Sequence, residues 1–155
     1  MLRLGLISDT HGLLRPEACA FLRGCDHIVH AGDVGSQRVL EELASIAPLT
    51  AVRGNNDKGP WAELLPESQR VRFEEVELYV IHDLAQLEGE PGAQGIRVLV
   101  SGHSHKPRML ERGGVLYINP GSAGPRRFKL PLCAAELTIN GSSVTPRIQE
   151  LDAPR

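Results

Sequence analysis

The sequence predicts a layered α/β or α+β domain, and three observations carry that reading. Apolar runs alternate with loops and helix-patterned segments in the first third, alternating runs separated by Gly-Gly or Asn-Gly follow, and the length of 155 residues suits one compact domain.

Residues 2–8 are rich in Leu and Ile and alternate little, as in a strand buried on both faces. Residues 9–14 break the run, and 16–23 read as a helix with Pro16 in its first turn. The unit repeats: 27–31 as strand, 32–35 as loop, and 36–46 as a helix capped by Ser36 with Leu40, Leu43 and Ala44 on one face. A third strand, 49–53, leads into the loop 54–59. Segments 70–74 and 76–82 then alternate like paired strands, and 96–101 is a further buried strand before the loop 102–107. Residues 109–112 and 115–119 flank Gly113-Gly114, and 132–139 and 143–148 flank Asn140-Gly141, so two hairpins are expected. Residues 151–155 read as a frayed tail. With no internal repeat beyond these strand–loop–helix units and no linker, residues 1–155 are expected to form a single domain.

Hydrophobic residues at 41% and charged residues at 23% are ordinary for a globular protein. A net charge of −2 does not indicate nucleic-acid binding or a polybasic membrane surface. The apolar run at the N-terminus is too short for a signal peptide, and no segment has the apolar length of a membrane span. Cys19, Cys25 and Cys133 are odd in number and lack metal spacing, so they read as buried reduced thiols and place the protein in the cytoplasm.

Five loops, each directly after an apolar strand, hold the groups able to bind metal: Asp9-Thr10-His11, Gly32-Asp33, Gly54-Asn55-Asn56-Asp57, His82-Asp83 and Gly102-His103-Ser104-His105. Singly, each is an ordinary turn. Together they gather four of the six histidines with carboxylates at the C-terminal ends of strands, where ligands of such folds collect. The glycines before Asp33, Asn55 and His103 are expected to let the backbone turn tightly and aim these side chains into one cleft. A mixed nitrogen and oxygen donor set without cysteine suits an open catalytic site rather than a structural zinc.

The strings SDTHG, HAGDVG, GNND, IHD, GHSH and NPGS, in this order over residues 4–122, resemble the calcineurin-like metallophosphoesterases, in particular their small bacterial and archaeal phosphodiesterase branch. The resemblance implies a four-layer αββα sandwich of two mixed β-sheets flanked by helices. It also implies a dinuclear centre, with Asp9, His11, Asp33 and His105 around one metal and Asp33, Asn55, His82 and His103 around the other. Manganese is the first expectation, with iron, zinc, cobalt, nickel or magnesium as alternatives. Asp33 would bridge ions roughly 3.5–4 Å apart, and Asp33, Asn55 and His82 are the catalytic assignments. The implied activity is hydrolysis of a small phosphate ester, a phosphodiester first, by a hydroxide held at the two metals. The alternatives are a metal-poor interaction scaffold of the same fold, as in the retromer subunit, and a nucleotidase or nuclease. A homo-oligomer is left open.

Three departures from the family pattern bear on the chemistry. Asn56 stands where protein-phosphatase relatives carry a proton-donating histidine, and an amide has no proton to give. Asp83 replaces a usual glycine and either serves a histidine or faces solvent. Residues 84–95 are short and glycine-rich where a fuller helix is common, which should leave the cleft more open on that side. Of the remaining basic groups, His27 and His30 are expected to pack, and Arg126, Arg127 and Lys129 either attract phosphate or form a solvated face.

Overall fold

The computed structural model describes residues 1–152. In chain order the elements are β1 (Leu2–Ile7), α1 (Pro16–Leu22), β2 (His27–His30), α2 (Gln37–Ile46), β3 (Leu49–Ala51), α3 (Pro60–Glu63), β4 (Ser68–Phe73), β5 (Val76–Ile81), β6 (Val98–Val100), β7 (Arg108–Arg112), β8 (Val115–Asn119), β9 (Cys133–Asn140) and β10 (Ser143–Glu150). Two mixed five-stranded sheets result, ordered β10-β9-β1-β2-β3 and β4-β5-β6-β8-β7. In the first, β1, β2 and β3 run parallel; in the second, β5, β6 and β8 do. Both expected hairpins form, β7 with β8 and β9 with β10. None of the helices among the described residues is long and apolar enough to cross a membrane.

The sheets pack face to face because their strands carry apolar residues on both sides. Leu4, Leu6, Val29 and Val52 of the first sheet and its loops meet Leu78, Val80, Val98, Val100 and Ile118 of the second, all buried. The outer face of the first sheet packs Ile7 and Ile28 against Leu22 of α1 and Val39 and Leu43 of α2. Gly5 permits that contact, since a Cβ there would collide with the Leu22 side chain. The layer over the second sheet is thin: between β5 and β6 the chain makes only 3₁₀ turns at Leu84–Gln86 and Gly92–Gln94. Leu87 and Tyr117 pack there against Ile81, Leu99 and Val115.

Several expectations are corrected. Ser36 occupies the N-cap of α2 with extended backbone, but its side chain makes no capping bond. The helix buries Val39 and Leu43 and leaves Ala44 exposed, so its apolar face is centred one position away from the expected one. The four-residue α3, with Pro60 in its first turn, was not expected because it is shorter than any periodicity can reveal. Leu151 is not frayed: it is buried, and its N–H donates to Leu132 O at 2.7 Å. The rest of the expected tail, 153–155, lies outside the described residues. All three cysteines are free, with Cys25 and Cys133 buried and Cys19 only half-buried.

Candidate metal centre

All five loops open at the same end of the two sheets, after β1, β2, β3, β5 and β6, and bring the seven expected ligands into one cleft. Their backbone is the first sign of a built site. Among the described residues, seven non-glycine residues have positive φ, and five of them are Asp9, His11, Asp33, His103 and His105, at φ 55°, 46°, 56°, 72° and 64°. Left-handed conformations disfavour side-chain-bearing residues and persist where the surroundings over-determine them, typically at functional sites. The tight turns are thus made largely by the candidate ligand residues themselves. Of the glycines expected to turn the chain, Gly32 has φ +102°, whereas Gly54 and Gly102 are needed for space: a Cβ would drive Gly54 into Asp33 and Gly102 into Ser8 and Asp9.

On one side of the cleft, Asp9 Oδ1 is buried and makes no hydrogen bond among the described residues. Three imidazole Nε2 atoms face it, from His105 at 3.5 Å, His11 at 3.9 Å and His82 at 3.9 Å. The His11 and His105 rings stack, with their Nε2 atoms 3.4 Å apart. Burial raises the pKa of the Asp9 carboxyl, against the nearby His82 and the hydrogen bond from Ser8, which lower it. Asp33 stands at the centre, its Oδ2 lying 3.3 Å from His82 Nε2 and 3.7 Å from His11 Nε2. Burial opposes its ionisation, but hydrogen bonds from His82 and from the Asn56 backbone outweigh it and hold the carboxyl well below its usual range.

On the other side, Asn55 Oδ1 lies 3.0 Å from His82 Nε2 and 3.1 Å from His103 Nδ1. The His82 ring is oriented from behind, because Nδ1–H donates to Ala31 O at 2.8 Å and turns Nε2 into the cleft. Burial disfavours the charged ring, yet Asp33 and Asp9 raise its proton affinity. At His105 the same burial effect prevails over the nearby carboxylates, and the pKa is lowered.

Behind the candidate ligands lies a polar frame. Asp57, buried, accepts from the N–H groups of Val34, Gly35 and Gly54 at 2.9–3.1 Å and so fastens the Asp33 loop to the Asn55 loop. Asp9 Oδ2 accepts from Ser8 Oγ at 2.7 Å and His103 N at 3.1 Å, tying the two sheets together. His30 has a defined tautomer: Gly32 N–H donates to Nδ1, so Nε2–H donates to Thr10 Oγ1, whose hydroxyl donates to Val34 O. Fully buried, the ring is neutral, its pKa pushed down to about 3. His27 bonds Thr50 and packs against Phe73, so both of these histidines have the expected structural places. Asn119 Nδ2 donates to Gly102 O, and Ser122 Oγ to Asp9 O. Ser8, Thr10, Asn119 and Ser122 have no role assigned from the sequence, and Asp57 figures there only as a member of a metal-capable loop, although all lie within the motif strings. Residue type shows their capacity to hydrogen-bond; only the fold shows their partners.

At the three departures, Asn56 donates to Asp33 through both its backbone N–H (2.9 Å) and Nδ2 (3.0 Å). Asp83 Oδ1 caps the 3₁₀ turn by accepting from Ala85 N, while Oδ2 lies 3.8 Å from His103 Nε2, on the ring's outer edge. The turns at 84–95 leave a cavity beside that edge. Arg127 is near enough to His105 to weigh against its protonation.

Comparison with known proteins agrees with this architecture. Residues 2–142 match the model of the calcineurin-like phosphoesterase superfamily domain. A probable metallophosphoesterase of Methanothermobacter thermautotrophicus is 37% identical, with 97% of this chain and 94% of that protein covered. The phosphodiesterase YfcE of Escherichia coli is 31% identical over 79% of each. Among solved structures, Vacuolar Protein Sorting 29 of Cryptosporidium parvum superposes with a TM-score of 0.83 at 24% identity, covering 96% of this chain and 91% of that one, which shows the shared fold. From a match spanning nearly the whole chain and a relative at 37% identity, it follows that this protein belongs to the calcineurin-like phosphoesterase superfamily.

Proposed function

We propose that the centre holds two divalent metal ions and hydrolyses phosphate esters, with small phosphodiesters as the main substrate class. The observation that carries this reading is the buried, unpartnered Asp9 Oδ1 facing three imidazole Nε2 atoms beside Asp33. A buried carboxylate oxygen without a partner is costly, and a cation between it and the histidines removes that cost. Asp9, His11 and His105 converge closely enough to hold one ion, and Asp9, Asp33 and His82 converge likewise. In this reading Asp33 joins the first set and forms the second with Asn55, His82 and His103, each of the two histidines having a ring nitrogen within 3.1 Å of Asn55 Oδ1. Asp33, whose Oδ2 lies 3.7 Å from His11 Nε2 and 3.3 Å from His82 Nε2, would be the residue shared by both. Nitrogen and oxygen donors suit manganese, iron, zinc, cobalt or nickel. Two such ions supply a Lewis acid for the phosphoryl oxygens and a nucleophile at neutral pH.

The chain's own groups then have defined work. His82, held by Ala31 O, and His103 present fixed nitrogens; Asp57 and Ser8 keep the carboxylate loops in register; Asn56 clamps Asp33 and has no proton to give a departing oxygen. A positioned acid is worth about 10²–10⁴-fold, so its lack favours esters of acidic alcohols. The scaffold reading has the shared fold with Vacuolar Protein Sorting 29 behind it, but the presence of all seven candidate ligands favours the enzyme.

Metal-replete and chelated protein should be assayed on a panel of aryl and alkyl phosphodiesters, monoesters and nucleotides, with metal content measured alongside. Chelator-sensitive cleavage that falls steeply as leaving-group pKa rises is expected. Protein that binds no divalent metal and cleaves no ester would overturn the reading.

A further inference from the structure

A cavity of about 400 Å³ adjoins the centre on the side of His103, in the size range of sites for small organic ligands. It is not part of the ligand set described above. Its wall is the β7–β8 hairpin. Arg108 pairs with Asn119, Leu110 with Tyr117 and Arg112 with Val115, and the two-residue period of a strand puts this set on one face. Arg108, Leu110, Arg112 and Tyr117 all line the cavity, joined by Lys106 and by Leu84 from the short 3₁₀ turn. The thin layer over the second sheet leaves this face open.

Its charge is unbalanced. None of Lys106, Arg108 and Arg112 is in an ion pair among the described residues, whereas seven other arginines are. Glu111, between the two cavity arginines, points to the other face and pairs with Arg97 at 3.2 Å. The nearest acid on the wall, Asp83, faces His103 and caps its own turn. Three cations around an apolar floor of Leu84, Leu110 and Tyr117 focus positive potential and call for an anion attached to a flat body. His103 connects this space to the centre, with Nδ1 toward Asn55 and the ring's outer edge on the cavity.

We propose that this cavity is a substrate-arm subsite, taking a phosphodiester whose ester arm is a flat, nucleoside-sized body bearing a second phosphate. The reacting phosphoryl group sits at the centre, the body lies on Tyr117 and Leu110, and the second phosphate meets Arg108, Arg112 and Lys106. The proposal rests on the phosphoesterase reading of the centre.

The test compares thymidine 3′,5′-bisphosphate with thymidine 5′-monophosphate by titration calorimetry on metal-loaded protein. It also compares kcat/KM for the 5′-p-nitrophenyl esters of the two. The second phosphate should improve binding and kcat/KM by about tenfold or more, equivalent to about 1.4 kcal/mol. In Arg108→Gln/Arg112→Gln, exposed positions where the fold should persist, that ratio should fall to about one. The charge-matched Arg38→Gln/Arg72→Gln should keep it. A ratio near one in the unmodified protein, its survival in the cavity variant, or its equal loss in the control would each overturn the subsite. If neither ester is cleaved the catalytic reading fails, and the calorimetric ratio still judges the cavity by itself.

Discussion

On one side of Asp33, Asp9 and His105 are 0% and 2% exposed and are braced by Ser8, Ser122 and the backbone of the facing sheet. On the other side Asn55 is exposed, and the His103 side chain is 45% exposed with only Asp83 near its outer nitrogen. The difference teaches how one fold can both hold charge and admit a substrate. The sealed side is fixed by low-dielectric packing, where an unpaired carboxylate oxygen demands a cation. The open side borders the cavity, where the proposed ester arm would lie. Asp33 belongs to both.

The contrast can be broken at the shared residue first. Asp33→Asn should lose at least one of two bound metals by elemental analysis and reduce turnover by more than about 100-fold, beyond the 10–100-fold typical of residues one shell out. Two metals with an unchanged rate would remove Asp33 from its bridging place.

Next come the two histidines of one loop. His105→Ala and His103→Ala should each lower metal content by a different ion, but only His105→Ala should also lower thermal stability, because it empties a buried site. An exposed substitution such as His103→Ala should stay within about 0.5 kcal/mol. Equal destabilisation would show the two sides to be equally braced.

Asp57→Ala should weaken metal binding by about 10–100-fold without touching a ligand, because Val34, Gly35 and Gly54 lose their common acceptor. Unchanged metal affinity, read by competition with a chromogenic chelator, would make Asp57 a support of the fold only.

The smallest effect concerns His30. Its folded pKa of about 3 lies below the ordinary 6.5, so the neutral buried ring contributes fully above pH 6.5. That contribution is lost as pH falls from 6.5 toward 3, at up to about 1.4 kcal/mol per pH unit. Denaturant melts of metal-free protein across that window should show a shallower acid slope for His30→Gln than for the unmodified chain. Equal slopes would mean that His30 is not held neutral.

Much of this was legible beforehand. The alternation of Val76, Leu78 and Val80, the Asn140-Gly141 and Gly113-Gly114 turns, and the Pro16 helix start each depend on a few neighbouring residues, so local pattern sufficed. The strings around Asp9, Asp33, Asn55, His82, His103 and His105 also pointed to one cleft, because each follows the C-terminal end of a strand. What escaped was everything set by contacts between distant segments. Asp57 became a clasp only when two parallel strands set its loop beside Val34. Gly54 and Gly102 turned out to be needed for the room they leave Asp33 and Asp9 rather than for their own dihedral freedom.

The sequence by itself determined the order of strands, helices and loops and the donor chemistry of the cleft, since both follow from residue type and short spacing. The tertiary structure alone decided that Asp9 Oδ1 is left without a partner and that Arg108 and Arg112 share a face with Tyr117 beside His103. Burial, register and the juxtaposition of two sheets are properties of residues far apart in the chain, and no local pattern encodes them.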